Sequence, residues 1–347
     1  MTASGDPSRP PRSLVASLPG RLPGLLLCVA IAAAATVVGV FAPVVGSALP
    51  AIVIGVVWAV VRRPGARFAP GIATATKPLL QLAIVLLGAR MSLTQVAAVG
   101  LESLPVMLSS LVVCLVAAWL IGRAMRVERN LRVLIGVGTG ICGASAIAAV
   151  APVIGAAAAE VSYAVSAIFL FNVAAVLIFP WIGHALGYDP HTFGLLAGTA
   201  VNDTSSVVAA ASVFGTAALG FAIVVKLVRT LALIPITIGL SVVEARRNGG
   251  TERMRPWQVL RLVPWFLIGF LLVVVVNTIV PLPPPAVDVL STLATFLIAT
   301  ALAGIGLTTN AGAIRRAGWR PLVLGAVLWA LVTLTSIGTI QLFGMNG

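Results

Sequence analysis

The chain has 347 residues, of which 60% are hydrophobic and only 9% are charged. Soluble globular domains carry roughly 25% charged residues, so this composition and the mean hydropathy of +1.12 exclude an ordinary soluble fold. The formal net charge is +13, but the basic residues stand in short segments between apolar runs. That placement is typical of membrane loops and argues against a nucleic-acid-binding face.

Apolar runs of about twenty residues, each enough to cross the hydrocarbon core of a bilayer, fill the chain after residue 24. The runs are continuously apolar rather than alternating, which favours helices over a membrane β-barrel. We therefore predict an all-α polytopic membrane protein, with a cytoplasmic tail over residues 1–24 and a single transmembrane domain over 25–347. Eleven spans are predicted, at 25–42, 44–61, 72–90, 104–125, 131–158, 161–183, 191–214, 217–242, 258–280, 289–308 and 320–342.

The arginines predict how these spans are oriented, because cytoplasmic loops are rich in basic residues. They precede span one and follow spans two, four, eight and ten. The pattern predicts a protein of the bacterial inner membrane with its N-terminus in the cytoplasm and its C-terminus in the periplasm. The loop at 183–190, after span six, should be cytoplasmic by the same count, yet it holds no lysine or arginine.

A run of small residues interrupts span five. Gly138, Gly140 and Gly143 stand close together there and are followed by Ser145. Glycines permit an unwound stretch, after which a half-helix would present free N–H groups and a positive dipole end to an anion. The same small residues would equally serve close helix packing. Gly138 and Gly140 are therefore candidate helix breakers, and Gly143 and Ser145 are candidate substrate ligands.

A polar run at the centre of span seven is the most informative feature of the sequence. It consists of Asn202, Asp203, Thr204, Ser205 and Ser206. An aspartate at the centre of a membrane helix costs about 2.5–3.5 kcal/mol on insertion scales, so it usually faces a cavity or a partner. These residue types also cap helix N-termini, which predicts a half-helix beginning near Thr204. We expect Asp203 to serve in coupling or gating and its four polar neighbours to contact the substrate.

Spans five and seven resemble each other at an offset of sixty residues. Gly138 matches Gly198, and Ser145 matches Ser205. Several such matches are expected by chance in a chain rich in alanine, glycine and valine. Two crossing spans in these positions would also run in the same direction, whereas transporters often carry inverted repeats. The similarity leaves the repeat structure open.

Two cations lie in span eight. Lys226 and Arg229 are three residues apart in the sequence and therefore share a helix face. Together with Asp203 they leave one positive charge near the midplane, which a mobile anion would balance. A guanidinium presents a planar fork of donors suited to sulfate or a sulfonate, whereas lysine acts as a compact point charge. We therefore expect both residues to belong to the substrate site, with Arg229 in direct contact and Lys226 supplying positive field. The alternative is that both side chains extend to the membrane surface.

Nothing in the sequence predicts a cofactor, a metal site or an enzyme. Cys28, Cys114 and Cys142 lie within apolar runs without CxxC spacing, and the two histidines are His184 and His191. A catalytic zinc site needs about three protein ligands. No nucleophile–base–acid set stands out, so we expect a protein that is not an enzyme.

Taken together, these residues resemble the bacterial inner-membrane family named as sulfate exporters. The resemblance rests on residues 140–147, 198–210, 225–229, 233–235 and 304–309. Some members of that family have a His-Glu pair where this chain has Asn and Asp at 202–203, so the acidic character is retained and the histidine is not.

The resemblance implies a fold related to sodium–proton antiporters and bile-acid symporters. Such a fold has two inverted five-helix repeats with broken helices that cross at the midplane, and span one would be an extra helix. Span five would pair with span ten, where Gly304 and Gly306 would form the second break. This pairing conflicts with the similarity of spans five and seven, and we prefer the pairing that the family implies.

We therefore expect a secondary active transporter that exports a small anion, sulfate or an organosulfonate, by alternating access. The alternative is a sodium- or proton-coupled carrier of a cation or an organic anion, in which Asp203 binds the coupling ion. A membrane enzyme acting on lipid or peptide is a third hypothesis. The expected partners are the anionic substrate, the lipid bilayer and, by analogy, a second copy in a homodimer, without nucleic acid.

Overall fold

A computed structural model describes residues 18–41, 47–247, 263–308 and 319–344, and every regular element among them is helical. The α-helices are α1 (Leu18–Phe41), α2 (Ala48–Val61), α3 (Ala69–Thr74), α4 (Leu80–Leu87), α5 (Leu93–Ala124), α6 (Arg129–Val137), α7 (Ala144–Val150), α8 (Ala158–Ala185), α9 (Pro190–Ala200), α10 (Thr204–Phe214), α11 (Thr216–Leu231), α12 (Leu233–Arg247), α13 (Trp265–Ile279), α14 (Pro284–Thr308) and α15 (Trp319–Leu342). A π-helical turn (Ala75–Leu79) joins α3 to α4, a 3₁₀ turn (Gly88–Arg90) follows α4, and a second π-helical turn (Gly138–Cys142) follows α6.

The helices confirm a membrane protein with several apolar spans. Within the described residues, seven helical stretches are long and apolar enough to cross a bilayer, and three shorter apolar helices accompany them. The first stretch begins earlier than predicted, because α1 starts at Leu18, inside the tail predicted over 1–24. The rest of that tail, and the arginines predicted to orient the chain at positions 9, 12, 253, 255, 315 and 316, lie outside the described residues.

The helices form two bundles that pack side by side. The flanking bundle consists of α1 to α4 with α13 and α14, and the hairpin bundle consists of α5 to α12 with α15. Between them, α10 contacts α2 and α14, and α5 contacts α13. The chain thus leaves the flanking bundle after α4, builds α5 to α12 of the hairpin bundle, returns for α13 and α14, and ends in the hairpin bundle with α15.

The chain predicted as span five, called segment five from here on, folds back on itself. We use the name hairpin 1 for the unit formed by α6, the π-helical turn after it and α7. The chain reverses at Gly143, whose φ of +67° lies in a region that glycine adopts easily. Across the reversal, a Cβ built on Gly138 would lie 3.0 Å from the side chain of Ile147. Asn130 at the start of α6 donates to Glu160 at the start of α8, over 3.3 Å. The chain therefore leaves hairpin 1 at the end of the bundle where it entered.

Segment seven folds back in the same way, and we call α9 and α10 hairpin 2. The chain leaves helical geometry over residues 201–203. Phe193 near the start of α9 stacks on Phe214 at the end of α10, with ring centroids 3.9 Å apart. Each arm has 11 residues, or about 16 Å of helix, which is roughly half the thickness of a bilayer core.

The two hairpins enter the bundle from opposite ends. Helix α8 begins at the base of hairpin 1, and its Gly183 packs against Phe214 at the base of hairpin 2. The tips meet in the middle, where a Cβ built on Gly143 would lie 3.1 Å from the Cβ of Asp203. These two tip residues are sixty positions apart, so the sequence similarity of segments five and seven marks two hairpins of opposite orientation.

Three predictions need correction. Segments five and seven return to the end at which they start, so the prediction that they cross the membrane as spans is wrong. Gly304 and Gly306 do not break span ten, because α14 continues through both to Thr308. They serve helix packing: a Cβ on Gly306 would lie 2.6 Å from the carbonyl oxygen of Ile52 in α2. Pairing span five with span ten is therefore wrong, and five-helix repeats stay a prediction.

The remaining predicted break lies a few residues from its expected place. Gly138 and Gly140 belong to the π-helical turn that precedes the reversal, and the reversal itself occurs at Gly143. Both earlier glycines are buried and admit neighbouring helices, since a Cβ on Gly140 would lie 3.3 Å from Leu111 of α5. They therefore allow close packing of the first arm, which was the alternative that the sequence left open.

Candidate functional site

The tip of hairpin 2 is organised by Asp203. Its carboxylate accepts hydrogen bonds from the backbone N–H of Ser205, over 3.1 Å, and from the Ser205 hydroxyl. Its own N–H donates to the side-chain oxygen of Asn172 in α8, over 3.3 Å. Asp203 is thus the N-cap of α10, and the prediction of a half-helix that begins near Thr204 is confirmed.

Lys226 and Arg229 bind the ends of both first arms. The Lys226 ammonium donates to the carbonyl of Ile141 in hairpin 1, over 3.0 Å, and to that of Val201 in hairpin 2, over 2.7 Å. The Arg229 guanidinium donates to the carbonyls of Thr199 and Thr139, one in each hairpin. Neither side chain has any exposed surface.

These bonds have a simple electrostatic cause. A helix that stops inside the bundle leaves carbonyls without partners and carries about half a negative charge at that end. Two helices stop here, and each of the two cations from α11 donates to a carbonyl of both. Arg229 is fully buried and bound to backbone carbonyls, so it does not lie where a substrate in a cavity could contact it directly. Neither cation reaches the surface of the protein.

A cavity of about 440 Å³ lies beside the tips, at the junction of the two bundles. The flanking bundle contributes Ile52, Val53, Val56, Val57, Thr76, Lys77, Ile305, Gly306 and Thr308. The hairpin bundle contributes Ala144, Val165, Ile168, Phe169, Asn172, Val173, Val176, Leu177, Asp203, Ser205 and Ser206. A molecule in this cavity would touch both bundles and the tip of each hairpin.

Only part of the predicted site reaches this cavity. Asp203, Ser205 and Ser206 line it, whereas Ser145 and Thr204 are not among the lining residues. Gly143 forms the turn at the tip of hairpin 1, and its neighbour Ala144 lines the cavity in its place. The cavity thus draws its predicted polar ligands from hairpin 2.

Lys77 and Asn172 are polar lining residues that sequence analysis missed, and Lys77 is the charged one. Lys77 is the basic residue among those that line the cavity, it is exposed, and it lies in the π-helical turn between α3 and α4. The sequence did hold a signal. The chain contains twenty arginines but only two lysines, Lys77 and Lys226, and each of these lies inside a predicted span.

The side-chain amide of Asn202, at the tip of hairpin 2, makes no hydrogen bond to the described residues. Asn202 is completely buried, and neither its side-chain oxygen nor its side-chain nitrogen has a hydrogen-bond partner among the described residues. A buried polar group left in this condition costs about 1–3 kcal/mol. The tip therefore holds a buried amide whose hydrogen-bonding groups are unsatisfied.

A second cavity, of about 500 Å³, lies at the end of the molecule where hairpin 2 has its base. This cavity also lies between the two bundles. Its charged or titratable lining residues are Arg90 of the flanking bundle and Glu102 and His191 of the hairpin bundle. The imidazole of His191 lies 3.3 Å from the carboxylate of Glu102. The two cavities thus occupy opposite halves of the same junction.

Metal ligands do not cluster in the part of the chain that the structure describes. No group of three or more His, Cys, Asp or Glu side chains is placed to hold an ion there. Cys28, Cys114 and Cys142 are all buried free thiols. The polar side chains that line the cavity beside the tips, which we call the central cavity, are those of Thr76, Lys77, Asn172, Asp203, Ser205, Ser206 and Thr308.

Comparison with known proteins gives a family match over most of the chain. The family model described as Conserved hypothetical protein 698 matches residues 23–325. A UPF0324 membrane protein of Streptococcus pyogenes serotype M6 is 41% identical over 324 residues, covering 91% of this chain and 96% of the relative. UPF0324 membrane proteins of Streptococcus mutans and Fusobacterium nucleatum are 40% and 38% identical, each covering 94% of this chain and 98% and 99% of the relative. No solved structure matches the chain.

Proposed function

The chain belongs to the UPF0324 family of membrane proteins, and on that premise we propose that it is a secondary active transporter. Its cargo in this proposal is a small anion, sulfate or an organosulfonate, which it exports from the cytoplasm by alternating access. No cofactor takes part, and the protein is not an enzyme.

One observation carries the proposal: two oppositely oriented hairpins meet with their tips beside a cavity at the junction of two bundles. Interrupted helices whose ends meet near the midplane are typical binding sites of secondary transporters. Because the cavity has walls from both bundles, relative movement of the bundles would expose it first to one side and then to the other. A second cavity lies at the opposite end of the junction, on the side to which the substrate would be released.

The balance of charge favours an anion. Around the tips lie the cations Lys226, Arg229 and Lys77 and, among the described lining residues, the carboxylate of Asp203. The first arms end here with about half a negative charge each, and the second arms, α7 and α10, begin here with about half a positive charge each, so the helix ends cancel. Three cations against one carboxylate leave about two positive charges, which favour an anion.

The fold-back of the hairpins also supports the orientation proposed for the protein. With segments five and seven returning to their starting ends, the loop at 183–190 lies opposite the arginine-rich loops, so its lack of basic residues is expected. The base of hairpin 1 is tied to the end of α12 by Arg129 and Glu244, with N–O distances of 2.7 and 2.8 Å. We place this arginine-rich end, with the N-terminus, in the cytoplasm and the C-terminus in the periplasm of an inner membrane.

A sodium- or proton-coupled carrier of another substrate is the second candidate, favoured by the position of Asp203. Its carboxylate is the one that lines the central cavity among the described residues. A carboxylate in the membrane interior commonly relays protons or binds a coupling cation.

Proteoliposome flux separates the two candidates. Vesicles preloaded with unlabelled sulfate or methanesulfonate should accumulate the labelled anion by counterflow, while protein-free vesicles should not. A sodium or pH gradient is then added to identify the coupling ion. Gradient-driven cation flux without counterflow of either anion would replace the proposal by the second candidate.

A further inference from the structure

The walls of the central cavity, the cavity of about 440 Å³ beside the tips, are mostly apolar. Helix α2 presents four aliphatic side chains to it, between Ile52 and Val57. Helix α8 presents six apolar side chains between Val165 and Leu177, at helical spacing on one face, and Asn172 is the polar exception in the centre of that face. A molecule lying along α8 would therefore meet polar groups at one point and hydrocarbon on either side.

The size of the cavity leads to the same conclusion. Sulfate has five heavy atoms, whereas the cavity measures about 440 Å³ and a water molecule takes up about 30 Å³ of liquid. All four sulfate oxygens need donors, and burying part of a charged group against hydrocarbon is costly. Sites that are mostly apolar with a few convergent polar groups are instead typical of organic ligands.

One cation on the cavity wall suits an anionic head. Lys77 of the flanking bundle supplies the positive charge, and Ser206 at the tip of hairpin 2 presents a hydroxyl. The Ser205 hydroxyl already donates to Asp203, whose carboxylate also lines the cavity, so an anionic head would bind at Lys77. Lys226 and Arg229 are held by backbone carbonyls and do not line the cavity, so Lys77 is the cation that a bound molecule can reach.

We propose that the substrate is an amphipathic organic anion, with a sulfonate or carboxylate head at Lys77 and an aliphatic or aromatic portion of several carbons between α2 and α8. Inorganic sulfate is a poor ligand of this site. The inference rests on the proposed transport function and narrows its substrate class.

The two lysines of the chain provide a direct test. In lipid nanodiscs, an amine-acylating reagent should modify the exposed Lys77 and spare the fully buried Lys226, as read by peptide mass spectrometry. Methanesulfonate, butane-1-sulfonate and sodium sulfate are then compared for protection of Lys77, with neutral butane-1-sulfonamide as the control for partition into lipid. Each buried methylene contributes roughly fourfold in affinity, so butane-1-sulfonate should protect at a concentration about 60-fold lower than methanesulfonate. A matched carboxylate, pentanoate, shows which head is preferred.

Two substitutions on α2 test whether the cavity wall causes the stronger protection by butane-1-sulfonate than by methanesulfonate. Val56 lines the cavity, whereas Val60 is 79% exposed and does not. Val56→Ser should reduce the advantage of butane-1-sulfonate over methanesulfonate several-fold, and Val60→Ser should leave it unchanged. In a thermal-shift assay, Lys77→Gln should lose stabilisation by butane-1-sulfonate, and Lys77→Arg should keep part of it.

The outcomes distinguish this inference from the transport function. Equal protection by sulfate, methanesulfonate and butane-1-sulfonate would overturn the inference, and sulfate counterflow in vesicles would leave transport standing. Counterflow of sulfate without protection of Lys77 by any anion would also overturn it. Absence of both protection and counterflow would overturn the inference together with the transport proposal.

Discussion

At the scale of single residues, charge placed inside the membrane serves two separate purposes. Lys226 and Arg229 satisfy backbone carbonyls at the ends of two interrupted helices, and Asp203 caps the start of α10. These groups are therefore part of the architecture of the tips, while Lys77 faces open space. Their substitutions should have different consequences.

Arg229→Met should destabilise the protein. It removes the donors that the carbonyls of Thr139 and Thr199 use, and hydrogen bonds from charged groups each contribute about 1.5–3 kcal/mol. We expect a lower melting temperature in nanodiscs, and a smaller loss for Arg229→Lys. Arg90→Met, at an exposed position, is the control. Wild-type stability of Arg229→Met combined with lost anion binding would instead show that Arg229 contacts the substrate.

Asp203→Asn should separate folding from coupling. Asparagine caps helices about as well as aspartate, so the tip of hairpin 2 should remain intact while its charge is removed. Asp203→Ala, which also loses the cap, should be less stable by about 1 kcal/mol. We expect Asp203→Asn to unfold like the wild type and to lose gradient-driven flux in proteoliposomes. Normal gradient-driven flux by this variant would remove Asp203 from the coupling step.

At the scale of elements, the two hairpins depend on how closely their tips approach. Gly143 combines a positive φ with a position against the backbone and Cβ of Asp203. A side chain there would both strain the turn and separate the tips. The reversal in hairpin 2 uses Asp203 as a cap instead of a glycine, so the two tips differ chemically although they are equivalent in position.

Gly143→Ala should lower the free energy of unfolding by more than backbone strain alone. A non-glycine residue in such a backbone region costs about 1–3 kcal/mol. Gly155→Ala is the matched control, because Gly155 has a similar φ of +63° but no atom within 4 Å of the place that a Cβ would occupy. Thermal unfolding of both variants should show the larger loss for Gly143→Ala. An equal loss would mean that contact between the tips contributes nothing to stability.

At the scale of the whole molecule, the fold-back of two segments sets which loops share a side. The bases of hairpin 1 and hairpin 2 lie at opposite ends of α8. Residues 186 and 215, which flank hairpin 2, should therefore be exposed on one side, and residues 128 and 155, which flank hairpin 1, on the other.

Cysteine labelling tests this arrangement. The native thiols of Cys28, Cys114 and Cys142 are buried, so each can be replaced by alanine or left as an unreactive background. With a membrane-impermeant maleimide on intact cells, Leu186→Cys and Gly215→Cys should both react, and Glu128→Cys and Gly155→Cys should react only after permeabilisation. If positions 186 and 215 label from opposite sides, segment seven crosses the membrane and hairpin 2 is wrong.

The sequence alone determined the helical membrane class, the positions of the apolar segments and the start of a half-helix at Thr204. Hydropathy and capping are local properties, so they can be read from neighbouring residues: the polar run predicted the start of α10 correctly. The sixty-residue similarity matches segment five with segment seven, and the structure folds both as hairpins whose tips meet. The topology that the family resemblance implies pairs segment five with span ten instead.

Only the tertiary structure decided that segments five and seven fold back, and which cation faces the cavity. An apolar segment of suitable length can cross a bilayer or reverse halfway, and the choice depends on what satisfies the backbone groups at the reversal. Here those partners are Lys226 and Arg229, which lie 25 to 90 positions away in the chain. Lys77 likewise belongs to a different bundle from Asp203, and they meet across the central cavity only because the two bundles pack together.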